Sequence, residues 1–121
     1  GDKIHVGFAE NYPSFYSYLD NVNKNGLNLA LSCSFTSNIS RPRQDAAFFD
    51  WYGIPVLSIY TKGDPEAFSN YRYHTPYDNI SNITPGIMAD LAELMFISII
   101  NMANADQLDF KRGEIREEFL K

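Results

Sequence analysis

A single cysteine, Cys33, and two histidines, His5 and His74, are the only thiol and imidazole donors among the 121 residues. One thiol forms no intrachain disulfide and no cysteine-rich zinc site. Two histidines are too few for a site built from several imidazoles, and no His-Glu-x-x-His pair occurs. Basic residues are also scarce, with 10 Lys and Arg against 15 Asp and Glu and a formal net charge of −5. That balance argues against a nucleic-acid binder, whose phosphate contacts need clustered cations, and against a basic membrane-surface helix. The longest apolar run, around 94–100, is too short to cross a bilayer, so no transmembrane segment is expected. No signal-like leader, repeat, Gly-rich phosphate loop or Gly-x-Ser-x-Gly elbow is present.

What is present is core material. Hydrophobic residues make up 45% and aromatics 15%, enough for one folded domain. Residues 3–8 alternate, with Ile4, Val6 and Phe8 on one face, and predict a strand. Pro13 opens a helix whose inner side carries Phe15, Tyr16, Leu19 and Val22, and Gly26 is the expected stop. Residues 27–35 alternate cleanly and predict a second strand. Asp45 is the expected N-cap of a short helix carrying Phe48, Phe49 and Tyr52, closed by Gly53, and 56–60 read as a third strand. Residues 61–83 show neither period, and their aromatic residues argue for an ordered loop. Thr84 and Pro85 start a long helix with Ile87, Leu91, Leu94, Met95, Ser98 and Met102 at helical spacing. Ile97, Ile99 and Ile100 widen that stripe and predict burial on two sides. Residues 1–105 thus form one α/β unit, a sheet covered by helices, and 106–121 a charged tail with a short helical option through Phe110, Ile115 and Phe119.

Few residues are candidates for chemistry. His5 reads as a half-exposed strand residue and Cys33 as a buried, inert thiol beside Leu29 and Leu31. Arg41 and Arg43 read as a solvated loop pair, and 114–118 as a solvated face. Three Asn-x-Ser/Thr sequons start at Asn38, Asn79 and Asn82, as Asn- and Ser-rich loops produce by chance. His74 lies in a long loop beyond a strand, where α/β proteins place their sites, and a carboxylate such as Asp78 can orient an imidazole ligand. From these facts alone a satisfied structural histidine is the simpler reading.

Tyr73-His74-Thr75-Pro76-x-Asp78, a short spacer, Thr84-Pro85 and a long apolar helix together resemble the C-terminal signature of the co-catalytic zinc aminopeptidases. These are peptidase family twenty-eight of clan MH, which also includes glutaminyl cyclases and the transferrin-receptor ectodomain. Upstream, Gln44-Asp45-Ala46-Ala47-Phe48-Phe49 and Gly53-Ile54-Pro55-Val56 are similar to the family's Ser-Asp-His-x-x-Phe…Gly-Ile-Pro segment. The resemblance spans most of 4–105 and implies a three-layer α/β/α fold, of which this chain is an incomplete portion.

Residue by residue, the resemblance makes His74 a ligand of one of two zinc ions and Tyr73 the hydrogen-bond donor to the developing oxyanion. Asp78 and Asp45 would steady the surrounding loops. Paired zinc ions would polarise the carbonyl of an N-terminal peptide bond and supply hydroxide. Two departures matter. Gln44 and Ala46 replace the family's Ser and His, and the family's His-x-Asp pair, adjacent Glu pair and further Asp have no counterpart before Ile4. One imidazole does not hold a catalytic zinc. The expectation is therefore a C-terminal portion of a zinc aminopeptidase acting on peptide substrates. Alone, this chain is expected to bind little zinc and to be inactive. The alternatives are a non-catalytic, receptor-like relative and a glutaminyl cyclase, against which Tyr73 counts because those enzymes tend to carry Trp there. An extracellular or periplasmic location is implied by resemblance only, and exposed sheet edges or apolar faces imply a homodimer.

Overall fold

The computed structural model describes residues 3–34, 45–62, 75–77 and 79–120. Strand β1 (Lys3–Gly7) leads into helix α1 (Pro13–Val22), strand β2 (Leu31–Ser34), helix α2 (Ala46–Trp51), strand β3 (Ser58–Lys62) and helix α3 (Pro85–Ala103). The sheet order is β2-β1-β3, with β2 parallel and β3 antiparallel to β1. A parallel neighbour needs a crossover, and α1 supplies it. This is the α/β class that the alternation of periods predicts.

One face of the sheet carries Ile4 and Val6 of β1, Leu31 and Cys33 of β2 and Ile59 of β3, in register. Leu19 and Val22 of α1 and Leu94 of α3 close over it, and Val6 and Leu94 are completely buried. Removing such side chains from water supplies about 1.5–3 kcal/mol each, which is what fixes the two helices on this face. At the end of β1, Phe8 takes φ 64°, a costly conformation for a bulky residue. Its side chain is fully buried, and its carbonyl accepts from both Asn11 N and Tyr12 N, so packing and the turn together hold it there.

Several boundaries differ from the periodic reading. Helix α1 does not stop at Gly26. It runs on through a π-helical turn, Asn23–Leu27, and the left-handed residue that closes it is Asn28, at φ 51°. The Asn23 side chain then bonds both the amide and the carbonyl of Leu29, so Leu27 and Leu29 pack on the core from a turn rather than from a longer β2. Cys33 does share the Leu31 face, but β2 is an edge strand among the described residues and the thiol is exposed. Strand β3 lies two residues later than expected.

Helix α2 turns the opposite side inward from the one its aromatics suggest. Ala47, Asp50 and Trp51 are buried, while Phe48, Phe49 and Tyr52 are about half exposed. The cause is the tail. It is irregular apart from a 3₁₀ turn at Glu117–Phe119, and no α-helix forms through Phe110, Ile115 and Phe119. Gly113 N donates to Gly53 O at 3.0 Å and Arg116 N to Trp51 O at 2.8 Å. Phe119 stacks on Trp51, and Phe110 on Phe15 of α1. Gly53 has φ 66°, and a Cβ there would collide with the Gly113 carbonyl, so only glycine lets the strap lie this close.

Helix α3 buries one narrow stripe, Leu94 and Ser98, instead of two sides. Met88, Met95, Phe96, Ile99 and Ile100 remain exposed. By length and composition α3 would suffice to cross a membrane, although no single apolar run in the chain is that long. Here it covers the sheet, with Ser98 Oγ turned back onto Leu94 O at 2.7 Å.

Candidate functional site

Tyr73, His74 and Asp78 lie outside the described residues, as do Arg41, Arg43 and Gln44. What the structure defines is the frame on either side of them. The segment leading to Tyr73 leaves the sheet at Lys62, which pairs with Lys3 at the start of β1. Its return to α3 is built from polar turns. Tyr77 N donates to Thr75 Oγ1 at 3.3 Å, and Asn79 Oδ1 accepts from Ser81 N at 3.0 Å and Ser81 Oγ at 2.7 Å. Such local bonds from Thr75 and Asn79 side chains shape turns rather than a ladder. They pass through a 3₁₀ turn, Ile80–Asn82, and Pro85 then opens α3.

Asp45 occupies the N-cap position of α2 and is exposed. It does not cap, however. Its backbone is already helical, and its carboxylate makes no bond to the first turn. A capping side chain needs the extended backbone that Asn79, for example, does adopt. Thr84 likewise sits at the start of α3 without a side-chain cap bond.

His5 is not half-exposed but 5% exposed. Its Nδ1 lies 2.8 Å from Ser32 Oγ and its Nε2 2.9 Å from Ser34 Oγ, and its ring leans on Tyr60 at 5.0 Å. A neutral imidazole donates from one nitrogen and accepts at the other, and a serine hydroxyl can take either part. The alternation that predicted an exposed face was correct about polarity. Those polar residues satisfy one another across β1 and β2, so the face is polar and still closed.

A buried charge cluster escaped the sequence reading. Asp50, 5% exposed, accepts from Tyr12 Oη at 2.8 Å and pairs with Arg116 Nη2 at 3.3 Å. It floors an open polar cleft of about 420 Å³ edged by Glu10, Asn11 and Glu114. Reading Ala47, Asp50 and Trp51 as the inner face of α2 is the signal that would have found it, since those positions share one side of a helix. The 114–118 segment is thus not wholly solvated, because Arg116 is drawn in by Asp50.

Burial pushes the Tyr12 hydroxyl well above the ordinary tyrosine value. The hydrogen bond to Asp50 and its charge add to this, and Arg116 opposes it. Burial raises Tyr16 as well, assisted by the neighbouring Cys33 thiol and Asp20. A raised pKa means that the fold prefers the protonated phenol. That preference contributes fully below the unfolded value of about 10 and is lost as pH rises beyond it. Thermal stability should therefore fall above about pH 10, together with a tyrosinate absorbance change. The alkaline loss should shrink in Tyr12→Phe, and an identical pH profile for that variant would remove Tyr12 from the explanation.

Among the described residues no three His, Cys, Asp or Glu side chains gather as a metal site. The sequence model described as Peptidase family M28 matches residues 8–98, a stretch that contains both upstream and downstream motifs. No curated protein matches the chain, and no solved structure does either.

Proposed function

The chain belongs to peptidase family M28, and from that premise we propose that it forms the His74-bearing part of a zinc-dependent aminopeptidase. The observation that carries this reading is the extent of the match. It takes in the Asp45 segment, the Gly53-Ile54-Pro55 turn and the Tyr73-His74-Thr75-Pro76 motif in one continuous span. In this reading His74 donates one imidazole to a metal, and Tyr73 donates its hydroxyl to the oxygen that gains charge as the amide is attacked. Asp78 and Asp45 hold the loops that present them.

The described residues alone do not fit the ion. A catalytic zinc takes three protein ligands and keeps a fourth position open, and no such trio is present among them. No step is therefore derived through the metal, whose remaining donors, in this reading, lie outside the described residues. Peptide substrates and an extracellular or periplasmic setting belong to the same proposal.

Hydrolysis of aminoacyl anilides should be measured on the 121-residue chain and on a longer polypeptide that contains it. The expected result is no turnover and little zinc for the former. The latter should turn over in a way that chelation abolishes and zinc restores. Turnover by the 121-residue chain, or a rate indifferent to chelation, overturns the reading. Absence of both zinc and turnover in the longer polypeptide would favour the receptor-like relative, the reading that Gln44 and Ala46 support.

A further inference from the structure

The polar face of the sheet holds a hydroxyl nucleophile and a base that the metal reading does not use. Ser34 is the last residue of β2, and His5 lies at the middle of β1. Ser34 Oγ is 2.9 Å from His5 Nε2, and Ser32 Oγ is 2.8 Å from His5 Nδ1. The Ser32 hydroxyl in turn donates to Ile4 O, a longer bond at 3.4 Å. With its proton turned to that carbonyl, Ser32 Oγ accepts from Nδ1–H. The neutral ring then carries no proton on Nε2, and Ser34 Oγ–H donates to it. That is the hydrogen bond of a nucleophile on its general base, with a third group fixing the tautomer. The placement agrees. His5 is 5% exposed with the Tyr60 ring against it, so the base is screened from water, while Ser34 is half-buried. Strands β1 and β2 run parallel, and Gly7 is the partner of Ser34 in register. The hydroxyl therefore stands at the carboxyl end of both strands, where parallel sheets bind their ligands, beside a residue with no side chain.

We propose that Ser34, with His5 as its base, is a nucleophile toward small carboxylic esters that carry a good leaving group. Ser34 Oγ bonds to the ester carbonyl carbon as its proton passes to His5 Nε2. The bond from that carbon to the leaving oxygen then breaks, and the departing oxygen takes the proton. An acyl ester on Ser34 and a neutral imidazole remain. Water, giving its proton to the same Nε2, attacks the acyl carbon, and Ser34 Oγ leaves with that proton as the carboxylic acid is released. Ser32 occupies the place at which a carboxylate would stabilise the imidazolium, and a neutral hydroxyl does so less well. The leaving group must therefore be good, which selects aryl esters over amides and anilides. No step passes through a metal, so the proposal stands or falls apart from the His74 reading.

The probe is 4-nitrophenyl acetate, applied with EDTA to the 121-residue chain carrying Cys33→Ala, which removes the exposed thiol next to Ser34. A burst of nitrophenolate and an acetyl group on Ser34, located by peptide mass mapping, are expected. Ser34→Ala in the same background should remove both. His5→Gln keeps hydrogen-bonding atoms near the serines but supplies no base, so it should slow acetylation of Ser34 by about 10² or more. A histidine that only ties the two strands together would let that variant react as before. Should His5→Gln fail to fold, the imidazole nitrogen resonances of His5 in the unsubstituted chain decide, because the proposal requires the ring proton on Nδ1. Acetyl groups found on lysines but not on Ser34 overturn the proposal. So does Ser34 acetylated as fast in His5→Gln as in the Cys33→Ala chain, or a ring proton on Nε2.

Discussion

Replacing His74 with Ala, in a polypeptide competent for aminopeptidase hydrolysis, should lower kcat/KM by at least ~10³ and leave the thermal midpoint nearly unchanged. The size follows from the role proposed for it. A ligand lost from a catalytic metal removes the ion, or displaces it from the reacting carbonyl. A merely packed histidine would behave in the opposite way, with stability falling and kcat/KM changing little in the molecules that remain folded. Tyr73→Phe separates the two partners of the motif. Loss of one oxyanion donor costs about 10²–10³ in kcat, with KM almost unmoved because the bond strengthens only in the transition state. Steady-state kinetics with circular dichroism on both variants is the measurement. Full activity in His74→Ala would end the ligand assignment, and a raised KM with unchanged kcat would make Tyr73 a binding residue instead.

The elements were legible where a period ran long enough. Val6, Leu19 and Leu94, each called to a core face by spacing alone, meet in one cluster. Pro13 and Pro85 start their helices as proline should. What periodicity could not show was which partner a face would meet. The aromatics of α2 looked like its buried side, but the carboxylate of Asp50 had partners waiting in Tyr12 and Arg116, and the helix turned accordingly. The shared side of Ala47, Asp50 and Trp51 is visible within 46–51, but not that it is the side turned inward, because Arg116 arrives from more than sixty residues away. His5 shows the same thing in reverse. Its polar face was visible, but its closure by Ser32 and Ser34 depends on the register of β1 against β2. For α3 the spacing gave an apolar helix, and its width was read as two buried sides. One side meets the sheet, and the other stays exposed among the described residues. The candidate site itself was legible only as a motif. Tyr73 and His74 carry it through residue type and order, not through any helix or strand period.

Asp50→Ala should destabilise the fold by about 3 kcal/mol, a fall of roughly 10 °C in thermal midpoint for a chain of this size. The cost lies less in the pair that is lost than in what stays behind. The Asp50 carboxylate is 6% exposed and the Arg116 side chain 23%. Removing the carboxylate leaves a guanidinium partly out of water without its counter-ion, and the buried Tyr12 hydroxyl without its acceptor. Arg116 is also the residue through which the tail reaches α2, its amide bound to Trp51 O while Phe119 packs on the Trp51 ring. Its release should therefore be seen locally as well, as faster amide exchange at Gly113 and Arg116 and a change in Trp51 fluorescence. The double variant Asp50→Leu with Arg116→Met separates the two costs. It removes both charges and keeps apolar volume, so it should recover a large part of the loss if uncompensated charge is the cause. If instead the double variant is as unstable as Asp50→Ala, the strap is held mainly by the geometry of the ion pair, and the charge explanation fails. Tyr12→Phe, which removes one neutral donor and leaves the Asp50–Arg116 pair in place, should cost only about 1 kcal/mol in the same thermal melts.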